Sequence, residues 1–211
     1  MSVVHVIVQC RNRSIAVTTL HSLLNLNGIC MMNGKHLNVN FVDDRSCIPK
    51  LIKSGDRLVY FDYATNLDTE SLGKLIQPFD KGVQVMVFPA VKDHIDWDMF
   101  RKKTAAGSRE GENQRGLHFD TEVGRRLYDD VYEVTKTAAR VWAMDSKPVD
   151  KKLRGDKIPV KLPTVNEEEM FGTLQKLGVK IGALTSATVI CHYTYECLGN
   201  ILEASGVQLN A

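Results

Sequence analysis

Three short polar clusters of this chain carry residue types that could bind a nucleotide diphosphate. They are QCRNR (residues 9–13), DDRS (residues 43–46) and DYATN (residues 62–66), and each follows a short apolar run. Such a run is typical of a buried parallel strand, so each cluster is predicted to lie where a strand ends. Because the carboxyl ends of parallel strands lie side by side, we expect the three clusters to meet in one cleft.

The side chains of the clusters suit different parts of a nucleotide. Asp43 or Asp44 could accept the N3–H group of a uracil ring. Arg11 or Arg13 could pair with phosphate oxygens, since a guanidinium group matches their geometry. Asp62 could hold a divalent cation that bridges a pyrophosphate, because Mg²⁺ and Mn²⁺ prefer oxygen ligands. The alternative for these residues is a solvated strand end or a turn.

Hydrophobic periodicity predicts the elements that would position the clusters. Apolar runs predict strands over residues 3–9, 57–61 and 83–88, and the alternation of apolar residues with asparagine predicts one over residues 37–42. A helix capped by Ser14 is predicted after the first strand, a short apolar segment near Ile48 after the second, and a helix that begins near Asp68 or Thr69 after the third. This alternation favours the α/β class, with a central, mostly parallel mixed sheet flanked by helices.

The second half of the chain is less regular. Residues 101–116 and 145–163 are polar and predict loops, whose basic side chains could close over phosphates. Residues 119–139 predict a helix capped by Asp120, because their apolar residues recur near helical spacing. The remaining predicted elements are a helix over residues 166–178, strands over residues 179–184 and 187–195, and a short helix over residues 198–202.

Size and composition predict one globular domain over residues 1–211. Hydrophobic residues make up 44% and charged residues 25%, as in ordinary soluble domains. The 27 Lys and Arg nearly balance the 25 Asp and Glu, so composition gives no reason to expect a nucleic-acid partner. The opening apolar run is too short for a signal core or a membrane span, so a cytoplasmic location is expected.

Two stretches resemble a known enzyme family. VVHVIVQCRNRSIAVTTLHSLLNLNG followed by NVNFVDDRS resembles the start of GT-A fold glycosyltransferases, in which one strand ends in an Asn-Arg turn and a second ends in Asp-Asp-x-Ser. Residues 55–88 resemble the next family segment, where a strand delivers an Asp-x-Asp motif. The likeness covers residues 3–90 well and the rest loosely. The chain also resembles a chlorovirus glycosyltransferase domain involved in capsid glycan synthesis.

The resemblance implies transfer of a hexosyl or deoxyhexosyl group from a UDP-sugar to a hydroxyl group of a glycan acceptor, assisted by Mn²⁺ or Mg²⁺. The chlorovirus likeness implies capsid glycosylation in the cytoplasm of the host cell, and further domains in a longer polypeptide. The nucleotide-binding half would be about residues 1–100 and the acceptor-side half about residues 101–211. The nucleotide-sugar site would comprise Gln9, Arg11, Arg13, Asp43, Asp44, Asp62 and Tyr63. One alternative is a sugar nucleotidyltransferase, which normally needs a glycine-rich loop that QCRNRS lacks. Another is a non-catalytic module that binds a nucleotide sugar or a glycan.

One metal ligand of the family pattern is absent. Where the family has Asp-x-Asp, this chain reads Asp62-Tyr63-Ala64. Water, Thr65 or a residue from elsewhere in the chain could take the place of the second carboxylate. In several family members a histidine near the C-terminus completes the metal site, which implies His192 as a metal ligand together with Asp62.

Acidic residues of the second half are the candidates for catalysis. The later acidic motif of the family begins a helix that ends in glycine, and Gly178 then implies Glu167 and Glu168. In inverting members this carboxylate removes the proton of the acceptor hydroxyl, which a group with a pKa near the working pH does best. Asp145 is expected on the acceptor side. The alternative is that the glutamates only begin the helix, where the helix dipole favours acidic residues, since a retaining enzyme needs no such base.

Overall fold

The first half of the chain alternates strands with helices, and the second half is richer in strands. The computed structural model describes residues 2–155 and 160–192, so the helix predicted over residues 198–202 lies outside the described residues. The strands are β1 (Val3–Gln9), β2 (His36–Val42), β3 (Arg57–Phe61), β4 (Thr65–Leu67), β5 (Val85–Val87), β6 (Val91–Ile95), β7 (Leu117–Phe119), β8 (Thr121–Tyr128), β9 (Val131–Thr137), β10 (Val141–Asp145), β11 (Ile181–Leu184) and β12 (Val189–Cys191). The helices are α1 (Val17–Met32), α2 (Ile48–Ser54), α3 (Thr69–Ile76), α4 (Trp97–Ala105), α5 (Ser146–Arg154) and α6 (Glu167–Lys176), with a 3₁₀ helix over Glu112–Gln114. In the described part of the chain, no helix is long and apolar enough to cross a membrane.

Eight of these strands form one mixed sheet in the order β2-β1-β3-β10-β5-β11-β9-β8. β1 pairs in parallel with β2 and β3, and β5 pairs in parallel with β11. β10 lies antiparallel between β3 and β5, and β9 lies antiparallel between β11 and β8. Six of the eight strands therefore run in the same direction. The predicted α/β class, with a central, mostly parallel mixed sheet flanked by helices, is confirmed.

Helices cover both faces of the sheet because both faces are apolar. One face packs against α1 and α3 through residues such as Leu26 and Leu72. The other packs against α2, α5 and α6. There the Trp142 ring stacks on Tyr60 with centroids 5.3 Å apart and meets the edge of Phe171 at 6.0 Å. All residues of β3 are buried, so this central strand gives firm support to the loop that follows it.

Residues 119–139 form two strands, so the helix predicted there is wrong. β8 and β9 pair as an antiparallel hairpin around a turn at Asp129, whose φ is +36°. The segment is rich in β-branched Thr and Val, and β9 gains a second partner in β11. Asp120 therefore caps no helix. Its buried carboxylate accepts hydrogen bonds from the backbone N–H groups of Ala90 at 3.1 Å and Arg140 at 3.3 Å.

The two segments predicted as loops contain helical residues. α4 extends into residues 101–116 from a start at Asp96, whose carboxylate caps the helix. α5 occupies the first part of residues 145–163. It forms because Val149 and Leu153, four residues apart, lie on one face and are buried against the sheet.

The helix α3 begins where it was predicted, with Asp68 as its N-cap. The Asp68 carboxylate accepts a hydrogen bond from the backbone N–H of Ser71 at 2.8 Å, which lowers the pKa of Asp68. We expect Asp68→Ala to reduce the free energy of unfolding by about 1 kcal/mol in urea denaturation at neutral pH. Because the folded pKa is the lower one, this contribution is present above the unfolded value of about 3.9 and is lost as the pH falls through the folded pKa. Glu70→Ala, in the same helical turn, is the control, and an equal loss there would contradict the capping role.

Candidate functional site

The carboxyl ends of β1, β2 and β3 border a cleft of about 520 Å³. All three polar clusters contribute to it, so the strand ends meet as expected for a parallel sheet. The lining residues are Gln9, Arg11, Asp43, Asp44, Arg45, Ser46, Asp62, Thr164 and Val165. A volume in this range is typical of small-molecule and cofactor sites.

The end of β2 presents two carboxylates in different surroundings. Hydrogen bonds from the hydroxyl and backbone N–H of Ser46 lower the pKa of Asp44, and the backbone bond is 2.7 Å long. The Asp43 carboxylate is exposed and has no hydrogen-bond or ion-pair partner within the described residues. Gln9 ties this strand end to β1, because its Nε2 donates to the backbone oxygen of Asp43 at 2.7 Å. The Asp43 carboxylate is therefore free to accept a hydrogen bond from a ligand.

A tight turn after β3 holds Asp62 at the cleft. The backbone N–H of Asp62 donates to the Arg140 oxygen at 2.8 Å, and its Oδ1 accepts the N–H of Tyr63 at 2.8 Å. Ala64 is buried and has a φ of +58°, a left-handed conformation that is unfavourable for alanine. The Thr65 hydroxyl donates to the backbone oxygen of Asp62 at 2.8 Å. The turn thus fixes Asp62, and the Thr65 hydroxyl proton is already used in this hydrogen bond to the backbone.

A second tight turn places Arg11 beside this loop. Arg11 and Ser14 exchange backbone hydrogen bonds of 3.1 and 3.0 Å, and the two residues between them, Asn12 and Arg13, have φ values of +51° and +56°. The prediction that Ser14 caps α1 is wrong, because its hydroxyl donates to the Arg11 oxygen at 2.7 Å. The Arg11 guanidinium lies 5.1 Å from the centroid of the Tyr63 ring. Arg11 lines the cleft, whereas Arg13 is exposed and outside its lining.

Arg45 was not among the predicted site residues, yet several elements hold it at the cleft. Its Nε donates to the Tyr60 hydroxyl at 2.8 Å, and its Nη1 donates to the Val165 oxygen at 3.3 Å. Its Nη2 forms an ion pair with Glu167. Burial raises the pKa of Tyr60, so the phenol stays neutral and accepts the bond from Arg45. The DDRS cluster is the only sequence signal for Arg45, because its partners come from distant segments.

Glu167 is the predicted catalytic residue that adjoins the cleft, through its ion pair with Arg45. Burial raises the pKa of Glu167, and the nearby charge of Asp62 adds to the rise, although Arg45 opposes it. Of the predicted catalytic residues, Glu167 is therefore the one that the structure brings to the edge of the cleft.

The other two predicted catalytic residues lie elsewhere. Glu168 is exposed and forms an ion pair with Lys136 at 3.0 Å, on the side of α6 that faces β9. Asp145 ends β10, which pairs with the beginning of β3, and its carboxylate lies 2.8 Å from the Arg57 guanidinium. The structure thus places Asp145 beside the amino end of β3, opposite the end that borders the cleft, and does not bring either residue to the cleft.

Asp62 and His192, the two predicted metal ligands, lie on neighbouring segments of the chain. β12 pairs with β4, and the backbone N–H of His192 donates to the Ala64 oxygen at 2.9 Å, beside the Asp62 turn. Asp62 forms no ion pair with any described residue. Across residues 2–155 and 160–192, no three His, Cys, Asp or Glu side chains gather into a metal-binding group. A cation here would therefore need phosphate oxygens and water as further ligands, which is how Mg²⁺ is usually bound beside substrates.

Comparison with known proteins finds similarity only among solved structures. No protein-family pattern and no curated protein matches the sequence. A putative glucose-1-phosphate thymidylyltransferase from Bacillus anthracis is 9% identical, with a TM-score of 0.49 over 100% of this chain and 97% of that chain. A197 from STIV is 12% identical, with a TM-score of 0.48 over 92% and 86%. A glycosyltransferase involved in the glycosylation of the major capsid of PBCV-1 is 8% identical, with a TM-score of 0.39 over 88% and 82%.

Proposed function

We propose that this chain is a glycosyltransferase that moves a hexosyl or deoxyhexosyl group from a UDP-sugar to a hydroxyl group of a glycan. The observation that carries the proposal is the meeting of Asp43, Asp62, Arg11 and Arg45 in one cleft at the carboxyl ends of three parallel strands. Carboxylates can accept a hydrogen bond from a nucleobase N–H group and can bind a cation, and guanidinium groups can donate hydrogen bonds to the oxygens of a diphosphate. The resemblance of residues 3–90 to GT-A glycosyltransferases supports the same assignment.

The nucleotide would lie across the ends of β1 and β2. The free Asp43 carboxylate would accept the N3–H of uracil, with Asp44 and Gln9 holding the strand ends in place. Arg11 and Arg45 would face the diphosphate. Because their guanidinium groups are already held by neighbouring side chains, little side-chain entropy would be lost on binding.

Asp62, together with His192, would hold Mn²⁺ or Mg²⁺ beside the diphosphate. When bound, the cation would supply Lewis-acid stabilisation of the negative charge on the leaving diphosphate. Arg11 and Arg45 would add two positive charges that line the same cleft and are already held by neighbouring groups, which lowers the reorganisation needed during reaction.

Glu167 would act on the acceptor. Its carboxylate would take the proton of the acceptor hydroxyl while the hydroxyl oxygen bonds to the anomeric carbon of the sugar. The bond between that carbon and the diphosphate oxygen would break, and UDP would leave with the electron pair. This role belongs to an inverting reaction, so an NMR determination of the anomeric configuration of the product tests it. The chlorovirus likeness supports a viral capsid glycan as the acceptor and the host cytoplasm as the location.

A non-catalytic module that binds nucleotide sugars is the second candidate. It is favoured by Ala64, whose buried methyl group stands where the GT-A family has the second metal carboxylate. Such a module would bind UDP-sugars in the same cleft but would leave the glycosidic bond intact. Turnover therefore separates the two functions.

Calorimetric titration of UDP, with and without Mn²⁺, followed by incubation with UDP-sugars, tests the proposal. The expected result is binding that Mn²⁺ strengthens and slow release of UDP and free sugar. Binding without any turnover would favour the module. Release of pyrophosphate from UTP and a sugar 1-phosphate would identify a nucleotidyltransferase instead, and no binding of UDP would overturn the nucleotide assignment altogether.

A further inference from the structure

Helix α1 carries an exposed apolar seam with the spacing of a coiled coil. Its residues follow one another at intervals of three and four, as the a and d positions of two heptads do. They are Val17, Leu20, Leu24, Asn27 and Met31, hereafter the α1 seam. The apolar members are 81%, 41%, 63% and 71% exposed in chain order. A surface helix normally turns such positions toward its own core, so an exposed apolar seam of this kind marks a candidate contact surface.

The α1 seam faces the free edge of the sheet. The opposite flank of α1 is fixed by Ser22, whose hydroxyl donates to the Asn66 side chain in β4 at 2.5 Å. At 3.6 residues per turn, Leu24 and Met31 lie roughly 200° and 180° around the helix from Ser22. α1 contacts β4 and α3, and α3 also contacts β10, which lies beyond β1 and β3 from β2 in the sheet. The seam therefore points away from β4 and toward β2, the first strand of the sheet.

Strand β2 lacks the usual protection of an edge. It pairs with β1 on one side and with no described strand on the other. Its seven residues include no Lys, Pro or acidic residue, which are the features that normally keep sheet edges from pairing with another chain. Phe41 is 55% exposed, and strand alternation places it on the same face as Leu37 and Val39, which pack on the α1 side.

We propose that α1 and β2 form an interface with a second copy of this chain. Neither element contains Asp, Glu, Lys or Arg, although charged residues are 25% of the whole sequence. Across a two-fold axis each surface meets itself, and an uncharged surface does so without repulsion. An acidic or basic partner would find no opposite charge here. The charge pattern therefore disfavours a charged partner, and a second copy is the occupant whose surface matches this one.

The geometry of the two elements also suits a symmetric contact. α1 is about 24 Å long and β2 about 23 Å, so they present parallel ridges of similar length. Antiparallel pairing of the two β2 edges would continue the sheet across the axis and set the two α1 seams beside each other. Asn27 would interrupt the apolar seam with one polar position, a device that fixes register in paired helices.

Sedimentation of the full chain across a range of concentrations tests this inference. The wild type should show twice the monomer mass of 23.6 kDa at high concentration. Leu24→Glu brings the same negative charge from both copies together in the paired α1 seams. Phe41→Lys adds to β2 a lysine of the kind that normally keeps sheet edges from pairing. Each should weaken dimerisation at least 10-fold, about 1.4 kcal/mol. The matched control is Val123→Glu, an exposed apolar residue in β8 at the other edge of the sheet, which should leave the dimer intact.

Two outcomes would overturn the proposal. The first is a wild-type chain that remains monomeric up to about 100 µM, where interfaces of micromolar affinity would already be formed. The second is a dimer that survives both substitutions in α1 and β2, since that dimer would use another surface. Circular dichroism of each variant shows that the loss of dimer is not a loss of fold. UDP binding is measured separately, so failure of the dimer and failure of the proposed function are distinguishable.

Discussion

The Asp62→Asn variant should bind UDP in the presence of Mn²⁺ roughly 100-fold more weakly than the wild type, a difference of about 2.8 kcal/mol. The amide keeps an oxygen at Oδ1 that can still accept the hydrogen bond from Tyr63, so the turn after β3 should survive. What is lost is the negative charge that faces the cleft and would hold the cation. Calorimetric titration with and without Mn²⁺ measures both parts of the effect.

The control for this prediction is Asp98→Asn, a loss of one carboxylate from the exposed surface of α4. Its dissociation constant for UDP should equal that of the wild type with or without the cation. Without Mn²⁺, the Asp62 variant should approach the wild type, because the cation contact is then missing from both. A variant at Asp62 that retains metal-strengthened binding would remove this residue from the metal site.

The Arg45→Met variant should lose about 3 kcal/mol of unfolding free energy at neutral pH, because it leaves Glu167 charged and partly buried without a cation. The loss should be smaller in acid. The fold raises the pKa of Glu167 above its unfolded value of about 4.3, so unfolding free energy falls as the pH rises from there through the folded pKa. Without Arg45 the folded pKa of Glu167 rises further, so the fall continues to a higher pH and the total loss is larger. Urea denaturation across this pH range measures the effect.

A double-mutant cycle separates the ion pair from the rest of the Arg45 contacts. Arg45→Met combined with Glu167→Gln should recover much of the lost stability, since the uncompensated charge is then removed. Arg125→Met is the control, because Arg125 pairs with Glu133 at 2.8 Å on the open surface and should contribute less than about 1 kcal/mol. Equal losses at Arg45 and Arg125 would show that the cleft ion pair is no more than a surface contact.

The parts of the fold that follow from local chemistry could be predicted from the sequence. β3 is an arginine followed by four apolar or aromatic residues and has the predicted bounds, and α3 begins at the residue after its Asp68 cap. The hairpin over residues 121–137 could not be predicted, because its apolar spacing also matches a helix. Its strands are selected by distant partners: β9 pairs with β11, and the Gln175 side chain donates to the Val134 oxygen at 2.8 Å.

The cleft likewise contains residues that could be placed from the sequence and residues that could not. Asp43 and Asp62 could be placed there in advance, since the order of parallel strands alone brings their ends together. The contact of Arg45 with Glu167 could not, because it depends on how α6 packs against the sheet after a long and irregular stretch of chain. Asp145 was expected on the acceptor side. Its strand β10 runs antiparallel to β3, so the carboxyl end of β10 lies beside the amino end of β3, away from the cleft.

The buried stack of Trp142 on Tyr60 gives the protein an internal optical reporter. The Tyr60 hydroxyl accepts the hydrogen bond from Arg45, so a ligand that draws the guanidinium into the cleft changes the surroundings of the ring against which the indole lies. The chain has two tryptophans, and the other, Trp97, is 60% exposed. In a Trp97→Phe background, the emission spectrum belongs to Trp142 alone. Occupancy of the cleft can then be followed as a change in fluorescence, without a labelled nucleotide.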